Sequence, residues 1–244
     1  NDIPFYERNA ISSATAARVS ALICVSCLTN PSEDYQTIEQ YGGKVIYIER
    51  EYKNAFPFIG YDYKIAGAIV AEKMLQNAPS SVLVITGLNY FSNESDFEQG
   101  FRDALTKNEP TPECKIIHVN LSTVFQDAFQ NFQEDAIPDS VALSSKNFFE
   151  QAMQAFSSKL STPPPPMFAL TTSSLEAQCN PNFFCMDYSA LALKTSQLLS
   201  DLFETGSALP PRSLIPASGF INTAASLNTI AKDVTLNVLL VQDQ

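Results

Sequence analysis

The 244-residue chain has no tryptophan, one histidine and eight glycines, and its 15 Lys and Arg are outnumbered by 26 Asp and Glu. Each scarcity narrows the functions open to it. A single histidine, His118, leaves little room for His-ligated metal sites or for Ser/His and Cys/His catalysis. A formal net charge of −11 repels phosphate backbones, so the chain is a poor surface for DNA or RNA. No window reaches the roughly 18 uninterrupted apolar residues of a membrane span. The first ten residues, NDIPFYERNA, lack the basic-then-apolar order of a secretory signal. G-x-G-x-x-G, P-loop, H-E-x-x-H and G-x-S-x-G motifs are all missing. No cofactor, metal-ligand set or catalytic residue is therefore expected.

What is present points to a folded binding protein. With 17% charged and 45% hydrophobic residues the chain is neither a disordered acidic segment nor a membrane protein. Its length can bury roughly 70–75% of the unfolded surface, enough for one large domain or two lobes. Cys24, Cys27, Cys114, Cys179 and Cys185 are odd in number and scattered through apolar runs, which reads as reduced, buried thiols in the cytoplasm. Cys24-Val-Ser-Cys27 closes the apolar run Ala21–Val25 and has no second CxxC nearby. It reads as structural rather than redox-active or zinc-binding.

Apolar runs of strand length alternate with segments of helical period. Strands are expected at Val19–Ser26, Lys44–Glu49, Ser81–Thr86, Lys115–Val119, Ser140–Leu143, Met167–Thr171 and Phe183–Met186. Helices are expected at Glu33–Tyr41, Tyr63–Asn77, Ser95–Asn108, Thr123–Glu134, Lys146–Leu160 and Ser189–Thr205. Gly42-Gly43 and Gly206 supply C-terminal stops, and Ser95 with Glu98 fits a capping box. Strand-helix alternation throughout implies an α/β fold with parallel sheets covered by helices. The loop-like Glu109–Cys114 suggests two Rossmann-like lobes, residues 1–110 and 111–244, with the chain crossing between them near 187–244. Val234–Val241 reads as a further strand, able to fill a vacant sheet position in its own chain or a partner's.

The order of elements around residues 19–108 resembles the sensor domain of the Lac/Gal repressor family, which is related to type I periplasmic sugar-binding proteins. The likeness is carried by Gly43–Arg50, Ile59-Gly-Tyr-Asp62, Ala66-Gly67, Val82–Gly87 and Gln99-Gly-Phe-Arg-Asp-Ala-Leu105. It continues in Met167–Thr172, Ser196–Gly206 and Leu214-Ile-Pro216, and covers about four-fifths of the chain. The resemblance implies a non-enzymatic ligand sensor that binds a sugar- or nucleoside-like effector in a cleft between two lobes and acts as a homodimer in the cytoplasm. It implies that DNA is reached only through a segment outside these residues, and that no membrane is involved. The chain also departs from the family. Phe97 stands where the family carries a sugar-clamping Arg, and Thr171-Thr172 or Ser173-Ser174 replace its Asn-Asp. The family's opening strand and DNA-binding helix-turn-helix have no counterpart ahead of residue 1.

Six residues form the candidate ligand set. Asp62 follows a strand and precedes a helix; it can accept hydrogen bonds from a polyol or simply cap the helix. Tyr90 and Phe91 follow the Ser81–Thr86 strand and can stack on a ring or pack internally. Thr172 and Ser173 offer hydroxyls at another strand end, or a helix start. Asp187 follows the Phe183–Met186 strand, and a segment too short for a full helix and strand precedes it. Phe97 reads as core, and His118 as a half-buried residue with a partner. Two other readings stay open: an extracytoplasmic solute-binding protein, and a degenerate α/β module used only for protein association.

Overall fold

The computed structural model describes residues 3–52, 56–119, 137–159 and 163–216. It is an α/β fold in which two sheets are flanked by helices and the strands pair in parallel within each sheet. The chain forms two compact units: Asn1–Gly60 with Ser189–Ile215, and Tyr61–Tyr188. The point 110/111 lies between two paired strands of one sheet, so the Pro-rich turn is a connection within a unit. The chain passes from one unit to the other at Gly60/Tyr61 and again at Tyr188/Ser189. The expected helix Thr123–Glu134 and strand Val234–Val241 lie outside the described residues.

The first unit is built from α1 (Pro4–Ala16), β1 (Ala21–Cys24), α2 (Ser32–Gln40), β2 (Lys44–Ile48), β3 (Phe58–Tyr61) and β9 (Arg212–Ile215), with strand order β1-β2-β3-β9. Its core joins Ile11 and Ala14 of α1, Tyr35 and Ile38 of α2, and Leu22, Val45, Tyr47 and Phe58 of the strands. α1 was not expected from the charged N-terminus, because only two of its residues are buried. Pro4 opens it at a position where the missing N–H costs nothing. Its anchor is polar. Glu7 reaches the loop after β1, accepting from Ser26 Oγ at 2.5 Å, Cys27 N at 2.6 Å and Tyr35 Oη at 2.7 Å. Gly42 ends α2 at φ +86°, as the paired glycines predict.

The second unit carries α3 (Tyr63–Leu75), β4 (Ser81–Thr86), α4 (Ser92–Leu105), β5 (Glu113–His118), β6 (Ser140–Leu143), a 3₁₀ turn at Lys146–Phe148, α5 (Phe149–Lys159), β7 (Met167–Thr171), α6 (Ser174–Cys179) and β8 (Phe183–Cys185). Its strand order is β5-β4-β6-β7-β8. Leu83, Val141, Leu143, Phe156, Met167 and Ala169 belong to one core that the sheet shares with α5. α7 (Tyr188–Ser200) begins at the change of unit and ends in a π-turn, Asp201–Thr205, stopped by Gly206 at φ +70°.

α3 and α4 cross at backbone distance. A Cβ on Gly67 would overlap the Phe97 carbonyl, and one on Gly100 the Lys64 carbonyl. Phe97 is fully buried beside Phe101, their ring centroids 6.2 Å apart, so it is core as expected. The capping box expected at Ser95 is a correction. α4 begins three residues earlier, Phe91 is its N-cap, and the Ser95 hydroxyl donates to the Ser92 carbonyl. Glu98 faces Arg102 and His118 instead, at 3.0 and 2.8 Å.

Candidate functional site

The order of the second sheet fixes where a site can form. β5 lies on one side of β4 and β6 on the other, so the winding reverses at β4. A crevice opens outside the carboxyl ends of strands at such a reversal, because the connections leave in opposite directions. The residues leaving β4, β6, β7 and β8 are Gly87, Ser144, Thr172 and Met186 respectively.

Glu94, in the first turn of α4, spans the reversal. Its carboxylate accepts from Gly87 N after β4 at 2.8 Å, from Ser144 Oγ after β6 at 2.5 Å, and from Asn93 Nδ2 at 3.0 Å. The Asn93 side-chain oxygen beside it is buried and has no hydrogen-bond partner among the described residues. One strand further, Glu176 of α6 accepts from Thr171 Oγ1 at 2.5 Å and pairs with Lys146 Nζ at 2.7 Å. The Lys146 ammonium and the Thr171 hydroxyl together hold the Glu176 carboxyl below its ordinary range. The same pairing raises Lys146. Glu94, Glu176, Ser144 and Lys146 were not among the candidate residues. Nothing in spacing links Glu94 to Ser144, fifty residues away.

Of the six candidates, Tyr90, Phe91, Thr172, Ser173 and Asp187 follow strands of the second sheet, and Asp62 follows β3 of the first. Asp62 caps α3, accepting from Ile65 N at 3.0 Å through Oδ1, and remains partly exposed. Tyr61 Oη donates to the Asp187 carbonyl, and the Tyr61 and Tyr188 rings stack at 6.0 Å. Asp62 and Asp187 are thereby held near one another through their neighbours. Tyr90 is 53% exposed and Phe91 is buried against it, with centroids 4.3 Å apart. Thr172 is exposed, whereas Ser173 caps α6 by accepting from Glu176 N at 3.3 Å. α6 fits into the segment that had looked too short for a helix and a strand.

The remaining titratable groups sit away from this edge or are structural. His118, exposed rather than half-buried, closes β5 with its Glu98 contact. None of the five cysteines forms a disulfide among the described residues. Burial pushes the Cys24 thiol up to about 12, against the bond to Tyr35 that lowers it, which disfavours the thiolate at this end of the CxxC. Cys27 and Cys185 are buried, but Cys179 is exposed, which corrects the reading of five buried thiols. Among the described residues no group of three or more His, Cys, Asp or Glu could hold a metal ion. Nor is any described helix long and apolar enough to cross a membrane.

No family model matches the sequence, and no curated protein sequence matches it. Solved structures do. The chain is similar to the Cra transcriptional dual regulator of Pseudomonas putida in complex with fructose 1-phosphate, at 20% identity and TM-score 0.77 over 89% of this chain and 83% of that one. It is similar to a LacI transcriptional regulator of Lactobacillus brevis, at 13% identity and TM-score 0.70 over 87% and 83%. It is also similar to the Caulobacter myo-inositol binding protein bound to myo-inositol, at 16% identity and TM-score 0.69 over 88% and 77%. The fold is thus that of LacI-type effector domains and type I periplasmic binding proteins.

Proposed function

We propose that this chain is the ligand-sensing domain of a Lac/Gal-type transcriptional regulator, a binder and not an enzyme. Its effector is a small polar, sugar-like molecule held at the carboxyl ends of the second sheet, with Asp62, Tyr90, Phe91, Thr172, Ser173 and Asp187 as the contact set. The observation that carries this reading is the convergence of side chains at a strand-order reversal, in a fold shared with two regulators and a sugar-alcohol binder. The proposal includes a homodimer in the cytoplasm, where free thiols persist. It also includes DNA contact through a segment outside these 244 residues.

Thermal-shift titration with neutral sugars, cyclitols, sugar phosphates and nucleosides tests the core of the reading. A ligand that binds only the folded state raises the midpoint with its concentration. Loss of that response in Asp187→Asn and Tyr90→Ala is the expected result. A flat response to the whole panel would remove the sensor reading and leave a protein-association module.

The likeness to a myo-inositol binding protein favours a second reading, a solute-binding protein on the same fold. Fractionation of the source cells separates the two. A sensor stays with the cytoplasmic protein, and a solute binder appears outside the inner membrane.

A further inference from the structure

The hydrogen-bond polarity of the strand ends is one-sided. An anionic group bound there would need N–H and O–H donors and a cation. Those donors exist, but they point at the protein's own carboxylates. Gly87 N and Ser144 Oγ, at the ends of β4 and β6, both donate to Glu94. Thr171 Oγ1, at the end of β7, donates to Glu176, and Lys146 is paired with that same carboxylate. Asp187 directly follows Met186 at the end of β8 and brings a further acidic residue to this edge. A phosphoryl group approaching here meets like charge and acceptors.

What the edge offers is acceptor capacity. The Asn93 side-chain oxygen is buried with no donor among the described residues, and its orientation is fixed by the amide nitrogen's bond to Glu94. A buried acceptor without a partner is costly, so a donor brought by a ligand is favoured there. The exposed ring of Tyr90 adds a face that attracts a cation or a C–H-rich ring.

We infer that this site selects a donor-rich, non-anionic polyhydroxy compound, binding an amine-bearing polyol more tightly than its neutral counterpart and rejecting its phosphorylated counterpart. The inference rests on the ligand-sensing reading above and deepens it.

The test is a calorimetric and thermal-shift comparison of matched trios on one ring skeleton: glucose, glucosamine and glucose 6-phosphate, and likewise the galactose, mannose and fructose series. Within the series that binds, the phosphate is expected to bind at least about tenfold more weakly than the neutral sugar, from repulsion by several carboxylates across a partly screened edge. The amino sugar is expected to bind more tightly than the neutral sugar. Both differences should shrink as salt rises from low to physiological ionic strength. In a Glu94→Gln or Glu176→Gln variant the phosphate penalty should fall. Equal or tighter binding of the phosphate would overturn the selectivity while leaving the ligand site standing. An amino sugar no better than the neutral one would also overturn it. Absence of binding across every series would remove the site and the inference together.

Discussion

At the scale of single residues, buried aromatic rings and hydrogen-bonded carboxylates do different work. Phe97 is fully buried beside Phe101 and under the α3 backbone at Gly67. Phe97→Ala leaves a ring-sized cavity and should cost about 3–5 kcal/mol, read as a fall in the denaturant midpoint. Asp139 accepts from Ser80 Oγ at 2.6 Å and from the backbone of Ser80 and Ser81 at 2.8 and 3.0 Å, tying the start of β6 to the start of β4. These bonds, the Ser80 hydroxyl first, hold its carboxyl below the ordinary aspartate value. A depressed carboxylate stabilises the fold above its unfolded pKa, and that contribution disappears as pH falls through the lower, folded value. Asp139→Ala should therefore be less stable than wild type at pH 7, with the gap closing in acid, below the ordinary carboxylate range. Equilibrium unfolding measured across that pH range checks it. A gap that stayed constant with pH would assign the effect to packing.

At the scale of elements, the α3/α4 crossing and the α1 anchor make opposite demands on sequence. An exposed helical glycine replaced by alanine gains about 1 kcal/mol from propensity. At Gly67 or Gly100 the added methyl overlaps a carbonyl of the facing helix, so Gly100→Ala should destabilise by about 1–3 kcal/mol or more. The reversed sign, seen in a thermal melt, identifies the backbone contact. For α1, Glu7→Gln weakens three bonds to a carboxylate and should cost about 2 kcal/mol. Amide exchange should quicken across Pro4–Ala16 while β4 and β6 keep their protection. Periodicity made most elements legible: Ser81–Thr86, Ser140–Leu143 and Met167–Thr171 coincide with β4, β6 and β7. Those strands are buried on both faces and so read as unbroken apolar runs. α1 was hidden because a polar bond network, and not an apolar stripe, docks it. α4 starts at Ser92 because tertiary contacts of Glu94 and Phe91 outweigh the local cap at Ser95. The site was half legible. Strand ends could be counted off, which is why Asp62, Tyr90, Thr172 and Asp187 each directly follow or lie shortly after a strand. The partnership of Glu94 with Ser144 depends on strand order, which no local pattern encodes.

At the scale of the whole molecule, charge limits the partners this chain can hold. The net charge of −11 opposes binding to a phosphate backbone. The 244-residue chain alone should not retard duplex DNA in a mobility-shift assay at physiological salt. Specific retardation by this chain would contradict that.

The glycine crossing carries a mechanical consequence. With Gly67 against the Phe97 carbonyl, Gly100 against the Lys64 carbonyl, and Lys64 paired with Asp103 at 2.9 Å, the two helices have no room to slide independently. The pair is a clamped yoke, with Asp62 capping one helix and Glu94 in the first turn of the other. A methyl wedged in at Gly100 would pry that yoke open, so ligand affinity and helix packing should fail together in that variant.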